Sequence, residues 1–185
     1  MVYVKIKFMN DEKGLVIIYT GEGKGKTTAA LGLVLRAAGY KKKCLIVQFG
    51  KAWFTGELVG IKKLAPLVKI IQGGKGFIDL LGNKTPLSTH KLAAKKTFEL
   101  LYNEVTSDKW DIVVADEIVG SVAGGILSEK KVIRLISEKP ARLDLVLTGH
   151  HASKKLIGLS DLVTEMTEIK HPFQLGILAK KGIDF

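Results

Sequence analysis

The sequence predicts an α/β fold, with a mostly parallel central sheet, helices on both faces and a phosphate-binding loop of the P-loop type. Three observations predict it. Apolar runs of strand length alternate with helical segments along the chain, the first run leads into a glycine-rich turn, and a later run ends in Asp116-Glu117. The 185 residues, 46% of them hydrophobic, suit one domain spanning residues 1–185, with residues 1–14 as a lead-in segment.

The predicted strands are short, nearly continuous apolar runs, which is the pattern of parallel strands covered on both faces. They are expected at residues 15–20, 43–49, 67–71, 111–115, 143–147 and 162–169. Because the carboxyl ends of parallel strands lie at one edge of a sheet, the segments that follow these strands are expected to form one site.

The predicted helices lie between these strands and begin or end at recognisable signals. Gly39 is expected to cap the first helix, Pro86 to start the third in its first turn, and Ser128 to cap the fourth. Residues 118–127 fit a helix or a loop equally well, and the tail after residue 172 fits irregular or helical structure. The helices are expected at residues 26–38, 57–64, 86–105, 129–137 and 152–159.

The glycine-rich turn reads Thr20-Gly-Glu-Gly-Lys-Gly-Lys-Thr-Thr28 and joins a strand to a helix. Its glycines permit positive φ and close approach to a ligand, while backbone N–H groups and the helix N-terminus favour an anion. Lys26 adds a charge, and Thr27 offers a hydroxyl to Mg²⁺. A turn with solvated lysines is the alternative, which the strand–turn–helix context disfavours. The predicted triphosphate contacts are Gly21, Glu22, Gly23, Lys24, Gly25, Lys26, Thr27 and Thr28.

Asp116 and Glu117 directly follow the fourth predicted strand. A carboxylate at this place in a nucleotide site holds Mg²⁺ directly or through water, opposite the loop threonine. An acidic pair after a strand can also be an ordinary helix N-cap. With the phosphate loop upstream, the metal interpretation is favoured, and Thr27, Asp116 and Glu117 are the candidate metal residues.

Composition excludes several classes of function. The net charge of +11 comes almost wholly from lysine, and no aromatic interleaving or readout motif accompanies it, so nucleic-acid binding is not favoured. No apolar run is long enough to cross a membrane, and the start of the chain is interrupted by lysines, unlike a signal peptide. The single cysteine, Cys44, allows no internal disulfide and is expected to be buried and inert, so the cytoplasm is the expected location.

The histidines carry a weaker signal. His150 is expected at the ligand edge of the sheet, whereas His90 is expected in a solvated helix start and His151 has no assignable role. Their spacing suggests neither a zinc site nor a catalytic triad.

The ordered set of motifs resembles the ATP:corrinoid adenosyltransferases with a phosphate-binding loop. The similarity runs from about residue 14 to the C-terminus. It rests on the loop, on Val47-Gln-Phe49 with Lys51 and Gly56-Glu57, on Val114-Ala-Asp-Glu117, and on the tail motifs Ser160-Asp-Leu-Val-Thr-Glu-Met166, Ile169-Lys-His-Pro172 and Gly182-Ile-Asp-Phe185. The loop of the family also resembles this one in having threonine at the position of Thr20, where other phosphate loops have glycine.

This resemblance implies transfer of the 5′-deoxyadenosyl group of ATP to a Co(I) corrinoid with release of triphosphate. It implies ATP as co-substrate, Mg²⁺ or Mn²⁺ as the metal, a homodimer, and a reductase as a possible source of electrons. By position it places Arg36 near the nucleoside and Phe77 at the corrinoid; His150 is a tentative second corrinoid residue. For both Arg36 and Phe77 an ordinary structural role is the alternative.

The chain also departs from the family pattern on the corrinoid side. Ile78 and Asp79 stand where threonine and tryptophan are common, and His150 stands where arginine is common. The first 14 residues are shorter than the helix that closes over the site in some members. An ATPase or phosphotransferase that makes ADP, with Gln48 orienting water, and an ATP-switched nucleic-acid-binding module are the alternative functions.

Overall fold

The structure is a computed structural model that describes residues 13–76 and 85–185. Its described strands form one parallel sheet in the order β3-β2-β4-β5-β1-β6. The strands are β1 (Val16–Thr20), β2 (Cys44–Phe49), β3 (Val68–Gly73), β4 (Ile112–Asp116), β5 (Asp144–Thr148) and β6 (Leu162–Glu165). The predicted parallel α/β fold is confirmed.

The helices connect consecutive strands, as parallel pairing requires. They are α1 (Lys26–Gly39), α2 (Glu57–Lys62), α3 (Leu87–Val105), α4 (Ile118–Ala123), α5 (Glu129–Glu138) and α6 (Lys154–Gly158), and a 3₁₀ turn spans Pro172–Leu175. The segment that fitted helix or loop equally well therefore begins with a short helix, α4. No helix within residues 13–76 and 85–185 is long and apolar enough to span a bilayer.

The strands bury both faces of the sheet, because successive side chains point to opposite sides. In β2, Leu45, Val47 and Phe49 belong to the core that packs against α3, α4, α5 and α6. Cys44 and Ile46 belong to the opposite core, against α1 and α2. Burial of Cys44 agrees with the prediction, and burial raises the pKa of its thiol to about 12.

Two predicted helix boundaries differ from the observed ones, and a third is confirmed. Helix α1 continues through Gly39, and Lys41 adopts the positive φ of 61° instead, because the N–H groups of Tyr40 and Lys41 still bond to carbonyls of the last turn. Pro86 occupies the N-cap of α3 with extended backbone rather than its first turn. Ser128 is the N-cap of α5 as predicted, but its hydroxyl makes no capping hydrogen bond.

All the described strands are parallel, so the segments that follow β1, β2, β3, β4 and β5 lie at one edge of the sheet. These segments include the phosphate loop after β1 and the acidic pair at the end of β4.

Candidate active site

The glycine-rich turn forms a loop that ends at the N-terminus of α1. Gly21 and Gly25 have φ values of 97° and 119°, which residues with a Cβ atom rarely adopt. Gly25 is also the N-cap of the helix. The segment after β6 holds the loop from outside. Gly23 N–H donates to the Met166 carbonyl at 2.6 Å, and Met166 N–H donates to the Thr20 carbonyl at 2.8 Å. A side chain at Gly21 would collide with the Met166 backbone.

Lys26 lies inside this loop rather than in solvent. Its Nζ donates to the carbonyl oxygens of Gly21 at 2.7 Å and Gly23 at 2.8 Å, and the residue is buried. Burial lowers the pKa of Lys26, although the nearby charges of Glu117 and Glu22 oppose the shift. The loop thus holds an ammonium group where a phosphate chain would meet it.

Asp116 is surrounded by hydrogen-bond donors from several elements. Its Oδ1 accepts from the hydroxyls of Thr27 at 2.8 Å and Thr148 at 2.7 Å. Its Oδ2 accepts from Gln48 Nε2 at 3.1 Å and lies 3.1 Å from Lys51 Nζ. Four donors occupy the two oxygens, so Asp116 fixes the loop threonine and the neighbouring strand ends in place.

Lys51 links Asp116 to a second carboxylate, Glu57, at the start of α2. Lys51 Nζ lies 3.2 Å from Glu57 Oε1, which also accepts from Gln48 Nε2 at 3.0 Å. Burial lowers the pKa of Lys51, but the charges of Asp116 and Glu57 outweigh burial, and the net shift is upward. Gln48 is fully buried, and its side-chain Oε1 accepts a hydrogen bond from Gln72 Nε2. Its amide group is thus bonded within this network rather than placed to orient a water molecule.

Glu117 differs from Asp116 in both backbone and partners. Its φ of 63° turns the chain sharply after β4, and its N–H donates to the Thr148 hydroxyl at 2.9 Å. Burial and the charge of Asp116 raise the pKa of the Glu117 carboxyl. Among the described residues, the Glu117 carboxylate accepts no hydrogen bond, so it is the acidic group of the pair with open coordination.

The residues fit Mg²⁺ in the manner usual for nucleotide sites. Within residues 13–76 and 85–185, no group of three or more His, Cys, Asp or Glu side chains could enclose a metal. Mg²⁺ is commonly held by one or two carboxylates together with water and substrate phosphates, which needs no such cage. The half-buried carboxylate of Glu117, with no hydrogen-bond donor among the described residues and close to the charge of Lys26, meets that requirement.

A cavity of about 620 Å³ opens beside Glu117 at the carboxyl ends of the strands. Glycine and apolar residues make up most of its wall, at the ends of β2 and β3, on the first turns of α3 and along α4. Its polar lining residues are Lys75, His90, Glu117, Ser121, His150 and His151. A cavity of this size and lining suits a small-molecule ligand with few polar contacts.

His150 lies at the edge predicted for it, between the cavity and the loop. Its Nδ1 is 3.4 Å from Glu22 Oε2, and Nδ1 of His151 is 3.3 Å from Glu22 Oε1. Burial and the charge of Lys26 lower the pKa of His150, although Glu22 opposes the shift. The neutral imidazole is therefore favoured near neutral pH.

The structure brings together most of the predicted site residues but not all of them. Arg36 is exposed in the last turn of α1, about 15 Å along the helix from the loop, and lines neither cavity of this edge. Phe77 lies outside the described residues. The predicted roles of these two residues remain predictions.

The C-terminal residues cover the other side of the loop. Asp184 forms an ion pair with Lys24, and a second cavity of about 440 Å³ lies between residues 182–185 and the loop residues 24–28. This cavity is also lined by Gly56 and Glu57, next to the C-terminal Phe185. The tail motif at residues 182–185 thus packs against the phosphate loop.

Sequence reasoning missed three features of this site. In the sequence, Lys51 stood out only as part of a family motif. Nothing in the local pattern indicated that its side chain lies between two carboxylates, Asp116 and Glu57. His90 was expected in solvent but is buried. The tail motifs could have indicated contact with the loop only through their family resemblance, because they are far from it in sequence.

Together the loop, Asp116 and Glu117 define a nucleotide-binding α/β protein of the P-loop class. A solved KaiC-like protein from Pyrococcus horikoshii shares the fold, with a TM-score of 0.55 and 15% identity, over 85% of this chain and 75% of that one. Residues 12–185 match the family described as ATP:corrinoid adenosyltransferase BtuR/CobO/CobP, and the chain belongs to this family.

Individual relatives agree with the family match. A corrinoid adenosyltransferase from Sinorhizobium is 38% identical, over 95% of this chain and 82% of its own length. One from Pseudomonas aeruginosa is 34% identical, over 98% of this chain and 88% of its own length. One from Escherichia coli K12 is 31% identical, over 95% of this chain and 87% of its own length. The chain is therefore an enzyme of the adenosyltransferase kind, and the ATPase and nucleic-acid alternatives are not favoured.

Proposed function

We propose that this chain transfers the 5′-deoxyadenosyl group of ATP to the Co(I) of a corrinoid at the edge described above, and that triphosphate leaves from the loop. The observation that carries the proposal is the position of the loop lysine, Lys26, whose charge acts on Glu117 and His150, two residues that line a largely apolar cavity. A triphosphate on the loop would leave the adenosyl carbon free to face a second substrate in that cavity.

The chemistry requires no acid or base from the protein. The electron pair of Co(I) attacks C5′, a Co–C bond forms, and the C5′–O bond breaks with its electrons left on the triphosphate. No proton is transferred, so no general base is required. The protein must align the two reactants, stabilise the leaving charge and exclude water.

We assign the leaving triphosphate to the loop. The backbone N–H groups of residues 22–28, apart from that of Gly23, and the ammonium groups of Lys24 and Lys26 would stabilise its charge. Lys24 forms an ion pair with Asp184, so a bound triphosphate would compete with this carboxylate for the Lys24 ammonium group.

We further propose that Glu117 and Thr27 contact Mg²⁺, or Mn²⁺ in its place, and that Asp116 orients Thr27 through its hydrogen bond. The ion would supply additional positive charge to the triphosphate. The open carboxylate of Glu117 supports this assignment, since Asp116 already accepts four hydrogen bonds or ion pairs.

The assembly and location proposed for the enzyme follow its family. We propose a homodimer; the exposed apolar side chains of Ile169, Phe173 and Leu178 in the tail support a covered surface there. A cytoplasmic location, where ATP and a reductase for the corrinoid are both present, agrees with the buried thiol of Cys44.

The direct test is to mix the protein anaerobically with Mg-ATP and a chemically reduced corrinoid, then to follow the spectrum and identify the phosphate product. Triphosphate together with a light-sensitive alkylcorrinoid spectrum is the expected result. ADP and phosphate formed at the same rate without corrinoid would overturn the proposal.

A further inference from the structure

His90 is a buried polar side chain that nothing in the adenosyl-transfer chemistry uses. It lies in the first turn of α3, is only 5% exposed, and lines the 620 Å³ cavity. Among the residues that the structure describes, its Nε2 atom has no hydrogen-bond partner. Because buried polar atoms are nearly always hydrogen-bonded, an unpartnered imidazole nitrogen needs an explanation.

The position of His90 separates it from the phosphate loop. Helix α3 packs against β2 and β3, whereas the loop follows β1, and β5 and β4 lie between β1 and β2. Strands β1 and β2 are therefore roughly 14 Å apart, although Thr27 of the loop reaches as far as Asp116 at the end of β4. His90 lines the cavity, whereas none of the loop residues 20–28 does, so a ligand in the cavity is expected to be distinct from the triphosphate.

His90 is a polar residue in a cavity wall that consists mostly of glycine and apolar residues. Other residues that line the same cavity include Phe49, Gly74 and Ala94, whose side chains offer no hydrogen bond. A leucine of similar volume would fill this place without leaving a polar atom unpaired. Because Nε2 itself is covered in this structure, a ligand in the cavity would pair with it only after the imidazole turns toward the cavity.

We propose that His90 recognises the corrinoid by hydrogen bonding through Nε2 to a carboxamide side chain at the rim of the corrin ring. A carboxamide carries both an N–H donor and a carbonyl acceptor, so it can pair with Nε2 in either tautomer of the imidazole. This inference rests on the proposed function, because it takes the corrinoid as the ligand of the cavity. His90 binds substrate in this role and takes no part in bond breaking.

Steady-state kinetics of three variants test the proposal. His90→Leu should raise the KM for cobalamin by about five- to tenfold, the effect of one lost neutral hydrogen bond, and leave the KM for ATP unchanged. His90→Gln keeps a donor and an acceptor near the Nε2 position and should recover most of the loss. Lys91→Leu is the matched control, an exposed residue of the same helix turn, and should match the wild type.

Thermal unfolding of the unliganded variants separates recognition from a structural role. His90→Leu should unfold at the same temperature as the wild type or higher, since it removes an unpartnered buried atom. A clear fall in the unfolding temperature in both His90→Leu and His90→Gln would show that His90 supports the fold, and would overturn the proposal.

Equilibrium binding provides a readout without turnover. Calorimetric titration with Co(II) cobalamin, and with derivatives in which one peripheral carboxamide at a time is hydrolysed to a carboxylate, should identify one position that weakens binding to the wild type. The same derivative should cost no further affinity in His90→Leu. Equal losses in both proteins, or a change confined to the KM for ATP, would overturn the assignment.

Failure of the broader function would be recognisable separately. If the wild type forms no adenosylated corrinoid, the proposed function fails. If the wild type is active and His90→Leu retains its affinity for cobalamin, only the role of His90 fails.

Discussion

The phosphate-loop side of the site and the α3 side of its cavity differ in how far their buried polar groups are hydrogen-bonded. On the loop side, Lys26 donates to two carbonyls, and Asp116 is contacted by four donors. On the α3 side, Nε2 of His90 is buried with no partner among the described residues. On the loop side Lys26 and Asp116 are fully paired within the protein, and the Glu117 carboxylate is the group that accepts no hydrogen bond from the described residues.

This difference indicates which parts of the site are fixed by the fold. A network whose members are all paired rigidifies its surroundings and keeps a phosphate site preorganised. An apolar wall with one unpaired polar atom depends on its ligand to complete it. Substitutions on the loop side should therefore affect stability or turnover strongly, and those on the cavity side should affect mainly corrinoid affinity.

The largest expected effect is on stability, from Lys51→Met. This change leaves the buried Asp116 and the half-buried Glu57 without their shared positive charge, and should lower the free energy of unfolding by about 3–5 kcal/mol. Urea denaturation measures it. The double variant Lys51→Met/Glu57→Gln should recover part of the loss, because one carboxylate is then neutral. A loss below about 1 kcal/mol would mean that the network is not a buried ion pair.

Lys26→Ala should have the next largest effect. It removes the buried ammonium group from the loop, and kcat/KM for ATP should fall by about 10²–10³-fold. Calorimetric titration with ATP should show a parallel loss of affinity, while circular dichroism shows an intact fold. Lys24→Ala, at the exposed rim of the loop, is the comparison and should cost less. Unchanged ATP affinity in Lys26→Ala would contradict the account of the loop.

The two adjacent carboxylates should respond in opposite directions. Asp116→Asn disrupts a network of donors and should lower the unfolding temperature, whereas Glu117→Gln should raise it at pH 7. The pKa of Glu117 is raised in the folded state, so the ionised carboxylate destabilises the fold at neutral pH. The stabilisation should disappear as the pH falls below the unfolded pKa, about 4.3.

Glu117→Gln should nevertheless reduce Mg²⁺-dependent turnover by about tenfold or more, since it removes a negative metal contact. Calorimetric scans between pH 4 and 8, combined with assays at several Mg²⁺ concentrations, test both effects. Full activity in Glu117→Gln would assign the metal contact to another residue, with Asp116 the first candidate.

The smallest effect concerns the core rather than the site. Cys44 is fully buried, and burial raises the pKa of its thiol to about 12, so the thiolate that reacts with alkylating reagents is scarce and inaccessible. Native protein should resist iodoacetamide at pH 8, and protein unfolded in guanidinium should react fully. Rapid labelling of the native protein would mean that β2 opens readily.

The fold was predictable because its signals are local. Apolar runs identify the strands, and glycines around Lys26 identify the loop without reference to the rest of the chain. The partners of Lys51 were not predictable, since a lysine beside a strand end has the same local pattern whether it is solvated or buried. His90 was placed in solvent for the same reason: its burial depends on how α3 packs against β2 and β3, which no local pattern records.

The most direct test of the central claim uses ATP in which an imido group replaces the β,γ-bridging oxygen. Adenosyl transfer breaks only the C5′–O bond, so this analogue should yield the light-sensitive adenosylcorrinoid and imidotriphosphate. An ATPase or phosphotransferase must cleave the β,γ-bridge and would be blocked. Formation of the adenosylcorrinoid from the analogue is the predicted result. Failure to form it, while calorimetry shows that the analogue binds, would contradict the account.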